Sequence, residues 1–164
     1  MLLLAFVAAV AGLLAATGLA GATALILPMA RYSNVTQATI SSTICKTGWT
    51  ATIRPPASYT NALKRAQLAE WHYADQNPSH YEEDHLISLE LGGAPWSKKN
   101  LWPEPHSQSA KSDPRENAWH KKVCSETLTL KQARAQELAY KRAAARAGLP
   151  SNAAVGVRQS SRGA

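Results

Sequence analysis

The chain opens on an uninterrupted apolar run. Leu2 to Leu27 is rich in Leu, Ala, Val and Gly, and no charged residue precedes Arg31. About 20 such residues suffice to cross a bilayer as a helix, and Ala20-Gly21-Ala22 and Ala22-Thr23-Ala24 match the small-residue pattern of signal-peptidase sites. Residues 1–30 are therefore expected to be a signal peptide or a membrane-anchor helix. Residues 31–43, rich in Ser, Thr and Asn, read as an extended linker.

Beyond the linker the pattern alternates between strand-like and helix-like stretches. Cys45 to Ile53 carries Thr, Trp and Ile and is stopped by Arg54-Pro55-Pro56, which predicts a strand. Tyr59, Leu63, Ala66 and Leu68, followed by Trp71, have helical spacing, with Thr60 as N-cap. Tyr81 to Leu91 alternates acidic and apolar residues before Gly92-Gly93 forces a reversal, so a hairpin is expected with Asn100-Leu101-Trp102 as its return strand. Asp113, Pro114 and Glu116 form a capping signature that predicts a helix from Asp113 to about Cys124. Thr129 with Gln132 repeats that signature, and Gly148 and Pro150 end a last helix near Ala147. The order is strand, helix, hairpin, helix, helix: a small α+β domain over residues 44–147, followed by a disordered basic tail at 148–164.

Length and composition narrow the class. With 164 residues, 45% apolar and 18% charged, the chain has room for one compact domain and resembles neither a fibrous nor a wholly disordered protein. The net charge of +7 suggests an anionic partner. Five basic residues and no acid follow Tyr140, however, leaving 13 basic against 11 acidic residues in 31–140. Most of the basicity is a tail. The two cysteines, Cys45 and Cys124, belong to no C-x-x-C pair. After an apolar leader they fit one disulfide, which in the chain-entropy model adds roughly 4 kcal/mol for a loop of about 80 residues; the alternative is two buried thiols. Arg31 lies on the far side of the leader, where the positive-inside rule would favour a cytoplasmic domain. The cysteine pair argues instead for export, secreted or anchored.

Candidate chemistry is concentrated in Tyr81 to Gly93 and Asn100 to His106. An Asp directly before a His at a strand end, as in Asp84-His85, suits a divalent cation beside a neutral imidazole that accepts a proton from water. Asn100, across the hairpin, can both donate and accept, and so can brace the loop. The five Trp residues read as core rather than as base-stacking platforms.

Asp84-His85-Leu86-Ile87, the Leu91-Gly92-Gly93 turn and Asn100-Leu101 resemble the HNH nuclease motif. The similarity is closer to exported bacterial HNH-like proteins, through Cys45-x-x-Gly48-Trp49, Arg54-Pro55-Pro56, Glu83-Asp84-His85, Asn100-Leu101-Trp102-Pro103-Glu104, Glu116-Asn117 and Val123-Cys124, over roughly residues 40 to 140. The resemblance implies a ββα-metal core with an added N-terminal strand and helix and a C-terminal helix. It also implies one divalent ion (Mg²⁺ or Zn²⁺), with Asp84 as metal ligand, His85 as general base and Asn100 as the loop brace. Two positions depart from the family pattern: Ser88 stands where a Pro is usual, and Ser109 stands where the helix normally supplies a last ligand. His106, or Glu116, Asn117 and His120 on one helical face, are the candidates to complete the site.

These readings lead to a metal-dependent endonuclease that hydrolyses DNA or RNA outside the cytoplasm, with Lys98, Lys99 and Lys111 near the substrate phosphates. Contact with a membrane through the N-terminal segment is a further expectation. The competing expectation is an exported, disulfide-stapled binding module that keeps the scaffold without the reaction.

Overall fold

A computed structural model describes residues 30–148. In chain order these form α1 (Trp49–Ile53), α2 (Ala57–Glu70), β1 (Tyr81–His85), β2 (Leu101–Pro105), α3 (His106–Cys124) and α4 (Leu130–Gly148), with 3-10 turns at Gln37–Ser42, Pro78–His80 and Leu89–Leu91. Helices around one two-stranded antiparallel sheet make the expected α+β class. The leader and the basic tail fall outside the described residues, except for Ala30 and Gly148. Among the described residues no helix is long and apolar enough to cross a membrane.

The hairpin divides the molecule. β1 pairs with β2 in the register Tyr81↔Pro105, Glu82↔Glu104, Glu83↔Pro103, Asp84↔Trp102 and His85↔Leu101. Alternate side chains point to opposite faces, so Tyr81, Glu83 and His85 share one face, while Glu82, Asp84, Trp102 and Glu104 share the other. Helix α2 covers the first face, where Leu68, Tyr73 and Tyr81 pack together. It also satisfies strand carbonyls that a two-stranded sheet would leave open: Gln67 Nε2 donates to Leu101 O at 3.0 Å and Lys64 Nζ to Tyr81 O at 2.7 Å. Helices α3 and α4 cover the second face, which carries the acids.

The main apolar core lies beside the hairpin and joins Val35, Ile40, Ile44, Ile87, Leu91, Val123, Leu130 and Ala133. Cys45 and Cys124 are bonded at its edge, their Cα atoms 5.5 Å apart. The bond ties the segment before α1 to the last residue of α3.

Several expectations are corrected. Residues 31–43 are not an extended linker: Tyr32 N–H donates to Gly92 O at 3.0 Å, and Val35 and Ile40 enter the core. The strand expected over Cys45 to Ile53 is a turn followed by the short helix α1, entered through Gly48 at φ 79. Among the described residues no strand neighbours this segment, and β-branched residues do not form a sheet without a partner. Helix α2 starts three residues before Thr60, behind Pro56. Helix α3 begins at His106 instead of Asp113, so Pro114 lies inside it and the Ala110 carbonyl lacks its usual helical donor. The capping box at Thr129 and Gln132 is formed as read, with Gln132 N–H donating to Thr129 Oγ1 at 3.2 Å and Thr129 N–H to Gln132 Oε1 at 3.0 Å. Trp102 is buried as expected of a core residue, whereas Trp96 is 52% exposed and packs on Tyr59.

Candidate functional site

The acid-bearing face of the hairpin holds a fully buried ammonium group. Lys141, on the inner side of α4, donates to Asp84 Oδ2 and, at 2.7 Å, to the His85 carbonyl. Glu116 Oε1 from α3 lies 2.6 Å from its Nζ, and Glu104 Oε2 from β2 lies 3.9 Å away. Ser112 Oγ donates to the other oxygen of Glu104 at 3.1 Å. One helical turn before Lys141, Glu137 Oε1 accepts from the Ser88 N–H at 3.0 Å. Glu82, Asp84 and Glu104 form an oxygen cluster, each with one carboxylate oxygen within 4.8 Å of the others.

Burial pushes the Asp84 carboxyl up, but the Lys141 ammonium and hydrogen bonds from Glu104 and Lys141 outweigh it and hold it below the usual range. Burial would lower Lys141, yet Asp84, Glu116, Glu104 and Glu137 together raise it above the ordinary lysine value. Burial, reinforced by Asp84, pushes Glu104 up to about 9. Burial and the charge of Asp84 push Glu116 up to about 7, against the pull of Lys141. Burial pushes Glu137 up to about 8. The Lys141 ammonium therefore faces a charged Asp84, while burial favours the protonated forms of Glu104, Glu116 and Glu137.

His85 points to the opposite face and is only 4% exposed. Its Nε2 lies 3.1 Å from the Pro95 carbonyl. A carbonyl only accepts, so Nε2 carries the proton and Nδ1 is the basic nitrogen. Burial holds the imidazole below its ordinary value, opposed by the nearby Asp84 and the bond to Pro95.

Asn100 is fully buried and braces the loop between the strands. Its Oδ1 accepts from the Ile87 N–H, and its Nδ2 donates to the carbonyls of Ile87 and Ala94. Gly93 completes this packing, since a Cβ there would lie 1.8 Å from Ile87 O and 2.5 Å from Asn100 Nδ2.

The three other candidate ligands stand apart from Lys141. His106 is at the rim, more than half exposed, its Nδ1 3.9 Å from Glu82 Oε2. The side chain of Asn117 donates to the Asp113 carbonyl on the exposed side of α3. His120 lies beside the disulfide, its Nε2 2.8 Å from Ile44 O and its Nδ1 3.9 Å from Glu90 Oε2. The sulfurs of Cys45 and Cys124 near His120 are bonded to each other, which removes them as thiolate ligands.

Sequence reasoning missed Glu82, Glu104, Ser112, Glu137 and Lys141. A signal was present: Leu130, Ala133, Glu137, Lys141 and Ala145 recur at three- and four-residue spacing, and a Glu and a Lys occupy two positions of that otherwise apolar stripe. No family model, curated protein or solved structure matches the chain.

Proposed function

We propose that this chain is an exported, metal-dependent endonuclease of HNH-like type. The observation that carries the reading is Asn100, which ties both backbone groups of Ile87 directly behind the Asp84-His85 pair at the end of β1. The hairpin runs straight into α3, so the β-β-α order supports the same reading. The donor chemistry narrows the metal. Glu82, Asp84 and Glu104 offer only carboxylate oxygens, which suit a hard ion such as Mg²⁺ better than Zn²⁺ with its preference for nitrogen and sulfur. Such an ion supplies charge stabilisation at a phosphodiester. His85, carried on the opposite face of β1 from these carboxylates, would act as the base through Nδ1, so base and ion would have to meet the substrate at the strand's end; the exposed Lys98, Lys99 and Lys111 neutralise flanking phosphates of DNA or RNA. The disulfide supports export, because such bonds persist outside the reducing cytosol.

One observation favours a second reading, the binding module without a reaction: Lys141 fills the carboxylate cluster and His85 is buried. Incubating the oxidised protein with plasmid DNA and with structured RNA, in Mg²⁺, in Mn²⁺ and in EDTA, separates the two. EDTA-sensitive cleavage is the expected result. Intact substrate under every condition leaves the binding module.

A further inference from the structure

We propose that Lys141 is the resident cation of the carboxylate cluster, and that a divalent ion reaches Asp84 only by displacing this ammonium group. The inference deepens the nuclease reading and rests on its assignment of Asp84 as a metal ligand. Lys141 Nζ donates to Asp84 Oδ2 and to the His85 carbonyl, and it is ion-paired with Glu116 Oε1 at 2.6 Å. These oxygens come from β1 and α3, and Asp84 is common to this set and to the carboxylates of β1 and β2 that would hold a metal. A hard cation takes carboxylate oxygens at shorter distances than an ammonium does, and an ion held by Asp84 would lie within a few ångströms of the Lys141 ammonium, where two positive charges repel strongly in a buried setting. The two cations therefore compete for the cluster.

Displacement would require the Lys141 side chain to leave a fully buried position. Lys141 reaches the cluster from α4, a helix held to the core by Leu130 and Ala133 near its start and to Trp102 by Ala145. Rotation of its flexible four-carbon stem, rather than movement of those anchors, would free the site. Helix α4 thus acts as an internal competitor for the ion. Apparent metal affinity is the intrinsic affinity multiplied by the fraction of molecules in which Lys141 has left.

The test uses the full, disulfide-bonded chain and Mn²⁺ as the probe. Lysines are acetylated under native conditions and quantified by peptide mass spectrometry. Without metal, Lys98 and Lys99 should react and Lys141 should be protected. At saturating Mn²⁺, modification of Lys141 should rise by about tenfold, as expected if ion binding and the inserted lysine exclude each other. Mn²⁺ binding to Lys141→Met, followed by electron paramagnetic resonance, should be tighter than to the wild type by a similar factor. Protection of Lys141 that does not change with Mn²⁺ overturns the inference, whether or not the variant folds; a folded variant with unchanged affinity does the same. Cleavage is scored separately. Metal-linked exposure of Lys141 without cleavage keeps this inference and removes the nuclease reading, and metal-dependent cleavage with Lys141 still protected does the reverse.

Discussion

Asn100 holds Ile87 by both of its backbone groups, accepting from the N–H at 3.0 Å and donating to the carbonyl at 3.0 Å. Ile87 is fully buried and belongs to the main core, so one amide side chain couples the loop after β1 to the packing of α3 and α4. A two-stranded sheet has few ladder bonds of its own, and this brace supplies part of what it lacks.

Replacing Asn100 by Ala should leave the Ile87 N–H and C=O buried without partners and lower stability by about 2–4 kcal/mol. Asn100→Asp keeps the acceptor but turns an oxygen toward the carbonyls of Ile87 and Ala94, and should cost more at pH 7 than at pH 4. Gly93→Ala should resemble Asn100→Ala, because its new methyl group enters the same space. Urea midpoints measure all three. An unchanged midpoint for Asn100→Ala would show that the loop does not depend on the brace.

Reduction of the disulfide should destabilise the fold by roughly 4 kcal/mol, or about 10–15 °C in melting temperature, since the bond closes most of the described chain into one loop. Differential scanning calorimetry with and without a reductant reads this directly. Ile44 and Val123, adjacent to the two cysteines, are buried in the same core. The reduced protein should therefore melt lower but keep its far-ultraviolet spectrum at 20 °C; loss of that spectrum on reduction would mean the core cannot form without the bond.

Glu137 predicts a pH dependence of definite sign. Burial lifts its folded-state value to about 8, against an ordinary 4.5. The folded state therefore binds its proton more tightly than the unfolded chain. That contribution is complete below about 4.5 and is lost as the pH rises through about 8. Wild-type stability should fall between pH 5 and 8.5, and Glu137→Gln, which keeps an acceptor for the Ser88 N–H, should flatten that fall. Chemical denaturation of both proteins at the two pH values provides the comparison. An equal slope in both would exclude Glu137 as a source of the dependence.

The pairing of the two strands and the loop brace were legible in the sequence because each rests on local chemistry: alternation, and an Asn opposite an apolar strand end. The extent of the hairpin was not: β1 ends at His85 instead of Leu91, Leu89–Leu91 is a 3-10 turn, and Asn100 precedes β2, so Gly92-Gly93 lies inside a long connection and not at a tight reversal. Nor was the start of α3. His106 to Ser112 contains no apolar period, since the face it buries consists of Ser109 and Ser112, the latter donating to the carboxylate of Glu104. A helix that covers acids needs small polar groups there, and hydropathy patterns are blind to that need. Asp113-Pro114 then imitated a helix start in the middle of one. The cluster itself was hidden for a different reason. Glu137 and Lys141 have the four-residue spacing of an ordinary surface ion pair, and only the packing of α4 against the hairpin turns them inward to Ser88 and Asp84.

The two histidines near the ends of the site should separate catalysis from scaffolding. His85 lies at the end of β1 with Nε2 committed to Pro95 O, which leaves Nδ1 for proton transfer. His120 lies on α3 with Nε2 against Ile44 O, next to the disulfide. If His85 is the base, His85→Ala should lower cleavage by roughly two to four orders of magnitude, the range for a general base, while Mn²⁺ affinity stays within a few-fold of wild type. His120→Ala should lose the contact to Ile44, cost about 1 kcal/mol in stability, and leave the cleavage rate per folded molecule nearly unchanged. Both variants must be compared at a temperature where circular dichroism shows them fully folded, since His85 is buried and its truncation also leaves a cavity. Equal losses in the two variants, or a His85→Ala protein that still cleaves at the wild-type rate, would remove His85 from the reaction and with it the HNH-like assignment of roles in this chain.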